Sequence, residues 1–109
     1  MDKSEAIKKL RQFAEIVIPK FNPEKIILFG SFAKDEQKNN SDIDVAVIVN
    51  KVDGDFLDKE AELFRIRRSI DASIEPFLFE SGSDKSGFLK DIVKYGNVMY
   101  PKPVCSKRK

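Results

Sequence analysis

Apolar residues first recur at helical spacing, at Ala6, Ile7, Leu10, Phe13, Ala14 and Val17. That rhythm predicts an amphipathic helix over residues 4–18, with Ser4 as its N-cap. Pro19 and the turn at Asn22-Pro23 are expected to end it. Ile26-Ile27-Leu28-Phe29 is an uninterrupted apolar run and predicts a short buried strand over 25–29. From residue 42 to 49 a second strand is expected, with Ile43, Val45, Val47 and Val49 on one face and Asp42 and Asp44 on the other. Helical spacing returns over 55–68 through Phe56, Leu57, Ala61, Phe64 and Ile66. A third strand is expected over 72–79, where Pro76 argues for an edge position or a bulge. The last helix should span 86–95, with Phe88, Leu89, Ile92 and Val93 on its core face and Gly96 as its stop. Val98 to Tyr100 reads as a short strand or a packed terminal segment. Strands alternating with helices make this an α/β (α+β) chain. Residues 1–100 read as one domain, and 101–109, ending Ser106-Lys107-Arg108-Lys109, as a disordered basic tail.

Composition narrows the chemistry. The 109 residues suffice for one domain and not for two. Of these, 41% are hydrophobic, enough for an ordinary core. Charged residues make up 35%, but 20 basic against 18 acidic leave a net charge of only +2. No overall field therefore draws nucleic acid, and Arg65, Arg67 and Arg68 read as a solvated helix face. With no histidine and a single cysteine, Cys105, His-based acid–base chemistry, a Ser-His-Asp triad, His-ligated zinc and disulfides are all excluded. The chemistry must run on carboxylates, hydroxyls, Lys and Arg. No apolar stretch approaches ~20 residues and the N-terminus lacks a signal-peptide core, so a soluble cytoplasmic protein with no membrane partner is expected.

Against that background two motifs stand out. Gly30-Ser31 follows the first strand, offering a side-chain-free backbone approach, a hydroxyl and an N–H at the start of a brief helix over 32–34. Lys34, one turn on, is within reach of a phosphate oxygen. Past a polar loop over 35–40, Asp42 and Asp44 share one strand face a few ångströms apart. Paired carboxylates repel unless a cation lies between them, and hard oxygen donors favour magnesium. A phosphate cradle beside such a pair suggests phosphoryl or nucleotidyl transfer. Two magnesium ions ~3.5–4 Å apart usually need a third carboxylate. Glu75, inside the third strand, fits best, and Asp71 is its rival if that strand begins early.

Gly30-Ser31-Phe32-Ala33-Lys34 together with Ser41-Asp42-Ile43-Asp44-Val45-Ala46-Val47 resembles the signature of the DNA polymerase β-like nucleotidyltransferase superfamily. The short chain is similar to minimal nucleotidyltransferases, many of which are antitoxins paired with a HEPN-domain toxin. The match is dense over 26–49 and looser through Glu75 and the closing Gly96-Asn97-Val98-Met99-Tyr100. The resemblance implies a small mixed β-sheet flanked by helices, two Mg²⁺ ions, and ATP as substrate. It makes Gly30 and Ser31 triphosphate binders, with Lys34 beside them. It makes Asp42 and Asp44 metal ligands, and Glu75 the third acid, which activates the acceptor hydroxyl. Antitoxin-type members transfer AMP to a tyrosine of the toxin.

The motif departs from the family's usual Ala-Arg-Gly at Ala33-Lys34-Asp35, where Lys replaces the bidentate Arg fork and Asp35 adds a negative charge. Glu75 is also one methylene longer than the frequent Asp. Two other functions stay open beside the adenylyltransferase: a binding module that neutralises a toxin by contact, and an antibiotic adenylyltransferase. With no acceptor-holding domain expected after residue 100, a separate polypeptide is the expected acceptor. The acceptor's identity, the nucleotide preference, the number of nucleotides transferred and any homo-oligomeric state remain open.

Overall fold

The computed structural model describes residues 3–30, 42–52, 54–82 and 87–101. Its elements follow the expected order. Helix α1 spans Lys3–Phe21, β1 Lys25–Phe29, β2 Ile43–Val49, α2 Phe56–Arg67, β3 Ile74–Glu80, α3 Phe88–Tyr95 and β4 Asn97–Tyr100. The strands form one sheet in the order β3-β2-β1-β4. β1 pairs antiparallel with β2 and with β4, whereas β2 and β3 run parallel. A parallel pair needs a crossover, and α2 supplies it. The sheet is therefore mixed, and Pro76 lies on its edge strand, where a missing N–H is tolerated.

Alternation sorts the side chains between two cores. Ile43, Val45, Val47 and Val49 of β2 pack with Leu10, Phe13 and Val17 of α1 and with Leu63 of α2. Ala46 and Ile48 face the other way, with Ile27 of β1 and Leu89 and Ile92 of α3. Asp42 and Asp44 belong to this second face.

Several boundaries and faces differ from the sequence-based expectation. Helix α1 runs through Pro19 instead of stopping there. Pro19 and Glu15, whose carbonyl loses its donor, are both exposed, so water can satisfy the orphaned oxygen. The helix closes at Asn22, which adopts a left-handed φ of 47° and donates its N–H to the Ile18 carbonyl at 2.9 Å. Ser4 lies inside α1 and is not its cap. In α2, Asp55 caps the start by accepting from the Leu57 N–H at 2.8 Å. Phe56, Leu57 and Ala61 are exposed, while Leu63, absent from the expected face, is fully buried, with Ile66 and Ile70 packed beside it. A helix with apolar residues on two stripes leaves that choice to packing. In α3 only Leu89 and Ile92 are buried; Phe88 and Val93 stay largely exposed because this short helix meets the sheet along a narrow line.

Gly96 does end α3, but in extended backbone with φ −81° and not in the left-handed region. Its glycine is required by crowding. A Cβ there would lie 2.6 Å from the Ile92 carbonyl oxygen and 2.8 Å from that of Leu28, and would collide with the Ile27 side chain. Gly96→Ala is therefore expected to cost about 2 kcal/mol by forcing α3 and β4 away from β1. Urea unfolding of the variant measures it, and a loss below ~0.5 kcal/mol would mean that the backbone relaxes freely. Among the described residues no helix is long and apolar enough to cross a membrane.

Candidate active site

The end of β1 and the starts of β2 and β3 meet at one edge of the sheet. Antiparallel register sets Phe29 opposite Asp44, and parallel register sets Asp44 beside Glu75. Because alternation carries Asp44, Ala46 and Ile48 to the α3 side, it carries Glu75, Phe77 and Phe79 there too. The β2–β3 register thus brings Asp44 and Glu75 side by side, and Asp42 precedes the first residue of β2.

Electrostatics bears out their closeness. Burial, followed by the charges of Asp42 and Glu75, pushes the Asp44 pKa up to about 6. Asp71, the rival third acid, is engaged elsewhere. Its carboxylate pairs with Lys9 of α1 and accepts the Ser73 N–H at 2.7 Å, and these bonds hold its pKa below the usual carboxylate range. Asp71 ties the entrance of β3 to α1.

Among the described residues no three acidic or sulfur side chains stand close enough to enclose an ion. Glu75 has a cation beside it, its Oε1 lying 3.4 Å from Arg67 Nη1. The donor set nevertheless suits a hard divalent cation: Asp42, Asp44 and Glu75 are close enough to feel one another's charge, and burial followed by those charges raises the Asp44 pKa to about 6. A cation there would offset the charge that these acids share.

This repulsion has a pH signature in metal-free protein. An acid whose folded pKa is raised binds its proton more tightly when folded than when unfolded. Its destabilising charge is fully present above pH 6 and is relieved as pH falls through 6 toward the unfolded value. Asp71 acts in the opposite sense, its contribution being lost only as pH falls below the unfolded carboxylate value, so it does not mask this window. Melting temperature in a chelator is expected to rise between about pH 7.5 and pH 5, and Asp44→Asn is expected to flatten that rise. An equal rise in both proteins would assign it to another group.

Gly30 has a φ of +76°, and a Cβ added to it would run into the Asp44 carboxylate. Only glycine lets the turn after β1 pass so close to the acid. Ser31, Lys34, the expected brief helix over 32–34 and the loop over 35–40 lie outside the described residues, as does the tail from 102 onward.

Two features escaped the sequence reading. Arg67 is not a solvated surface residue: its guanidinium lies 4.7 Å from the Phe64 ring centroid, and Nη1 donates to the Ile74 carbonyl at 2.9 Å. The Phe64–Arg67 spacing of three residues on a helix was the available signal. Phe29, Phe77, Phe79 and Phe88 also form an edge-to-face chain, with ring centroids 5.5–6.0 Å apart. Beside them opens a cavity of about 410 Å³, bordered by Phe29, Gly30, Phe88, Asp91 and Tyr95. Its size and aromatic walls suit a flat organic ligand.

Comparison with known proteins agrees with this fold. The family model described as "Polymerase beta, Nucleotidyltransferase" matches residues 11–103. Among solved structures, a protein of Sulfolobus solfataricus provisionally assigned as a nucleotidyltransferase superposes with a TM-score of 0.65 at 21% identity, over 88% of this chain and 80% of that one. A chain from a toxin–antitoxin structure with AMP-PNP gives 0.61 at 26% identity, over 86% and 72%. A chain from the toxin–antitoxin MntA–HpeT, in a mutant with two Asp→Glu replacements two positions apart, gives 0.60 at 24%, over the same shares. The comparison with curated proteins returned no match.

Proposed function

Given that the chain belongs to the polymerase beta nucleotidyltransferase family, we propose that it moves AMP from ATP to a tyrosine hydroxyl of a HEPN-domain toxin, acting as that toxin's antitoxin. The observation that carries this reading is the parallel β2–β3 register, which sets Glu75 beside Asp44 where the Gly30 turn passes close to that carboxylate. The toxin–antitoxin chain at 26% identity, in a structure with AMP-PNP, supports a toxin partner and an adenine nucleotide.

In the proposed reaction Asp42 and Asp44 hold Mg²⁺, which offsets charge on the phosphates when bound. Gly30 keeps side chains clear of the approaching triphosphate, and Ser31 and Lys34 bind its oxygens. Glu75 accepts the proton of the acceptor hydroxyl. The hydroxyl oxygen forms a bond to the α-phosphorus, the bond from that phosphorus to the β-phosphate bridge breaks, and pyrophosphate leaves. Most of the acceleration comes from alignment and charge compensation, because such transfers need little covalent help.

Label position tests the chemistry. ATP labelled at the α-phosphate should mark the partner in the presence of Mg²⁺, whereas ATP labelled at the γ-phosphate should not. Label from the γ-position alone would make the protein a kinase and end the nucleotidyl reading.

A further inference from the structure

Resting on the reading of Asp42, Asp44 and Glu75 as metal-holding acids, we propose that Arg67 is a positioning residue: a resident counter-ion that draws the Glu75 carboxylate away from Asp44 until a divalent cation takes it over. Arg67 is anchored independently of Glu75. Its Nη1 donates to the Ile74 carbonyl at 2.9 Å, and its guanidinium rests on the Phe64 ring at 4.7 Å. Only a quarter of its side chain is exposed. The guanidinium therefore remains in place whether or not Glu75 is beside it.

Its hold on Glu75 is loose by comparison. The Nη1–Oε1 separation is 3.4 Å, longer than a strong charged hydrogen bond, and the Glu75 side chain is 35% exposed. A partly solvated pair of this kind is worth little and breaks readily. Among the described residues Asp42 and Asp44 form no ion pair, and burial followed by the charges of Asp42 and Glu75 weighs on Asp44. Arg67 relieves one end of that cluster. The Arg67–Glu75 attraction is given up when a cation takes Glu75 over, so that attraction holds metal affinity down while supporting the empty fold.

Manganese titration of nucleotide-free protein, by calorimetry and by thermal shift, tests this directly. Arg67→Met should lower the melting temperature in chelator, tighten Mn²⁺ binding about three- to tenfold, and enlarge the Mn²⁺-induced shift. Arg67→Gln retains a donor for the Ile74 carbonyl while removing the charge, and should tighten binding similarly with a smaller loss of stability. A purely structural role predicts equal destabilisation with and without Mn²⁺, and unchanged or weaker affinity in both variants; that result overturns the proposal. Asp42→Asn/Asp44→Asn separates the two levels. If Mn²⁺ binding to the wild type does not depend on those acids, the reading of the site fails, and the role of Arg67 with it. If it does depend on them and neither Arg67 variant tightens it, only the role of Arg67 fails.

Discussion

Asp42→Asn/Asp44→Asn is expected to lower nucleotidyl transfer by about 10³-fold or more, because it removes both proposed metal ligands and the charge compensation they bring to the transition state. Folding should survive. Asp44 is partly buried beside two other acids, and burial with their charges raises its pKa to about 6. Replacing it by a neutral isostere removes repulsion without changing volume, so the variant should melt at or above the wild-type temperature in metal-free buffer at pH 7.5. Activity lost through unfolding would lower both readouts together. Loss of turnover with undiminished stability is the pattern of residues kept for chemistry at a cost to the fold. Turnover within about tenfold of wild type would show that these acids do not hold the metal.

Gly30→Ala should lower turnover by about 100-fold and stability by about 1–2 kcal/mol. Two penalties combine there. The φ of +76° disfavours any L side chain, and the new Cβ would collide with the Asp44 carboxylate and push it from its place beside Glu75. Gly54 is the control: its φ is +95°, but a Cβ there meets nothing within 4 Å. Gly54→Ala should therefore show the backbone strain of about 1 kcal/mol and keep full activity. Equal activity in the two variants would mean that the close pass of the turn over Asp44 has no catalytic consequence.

Much of this arrangement is legible in the sequence, because period-two alternation is a strict rule. Once Ile43, Val45 and Val47 were assigned to the core, Asp42 and Asp44 had to lie on the other face. Pro76 marked the edge strand for an equally strict reason, its missing N–H. Glu75 was harder. Its place beside Asp44 depends on the β2–β3 register, and the engagement of Asp71 depends on Lys9 of α1, neither of which a local stretch of sequence carries. The buried stripe of α2 was misread, since Phe56, Leu57 and Ala61 looked as apolar as the stripe that carries Leu63. Arg67 was misread because its partners, the Ile74 carbonyl and Glu75, come from another element. Side-chain roles set by tertiary neighbours leave little trace in a local window. Gly96 was assigned correctly as a helix stop, but it is needed for its close approach to β1 and not for a left-handed turn.

The central claim is that this small sheet edge delivers a nucleotide to another protein. The intact mass of a HEPN-domain toxin partner, measured after incubation with the protein, ATP and Mg²⁺, tests it most directly. The account predicts a gain of one or more AMP units on a tyrosine of the partner, absent when Asp42→Asn/Asp44→Asn replaces the wild type. An unmodified partner, or a modification that persists with the double variant, would contradict it.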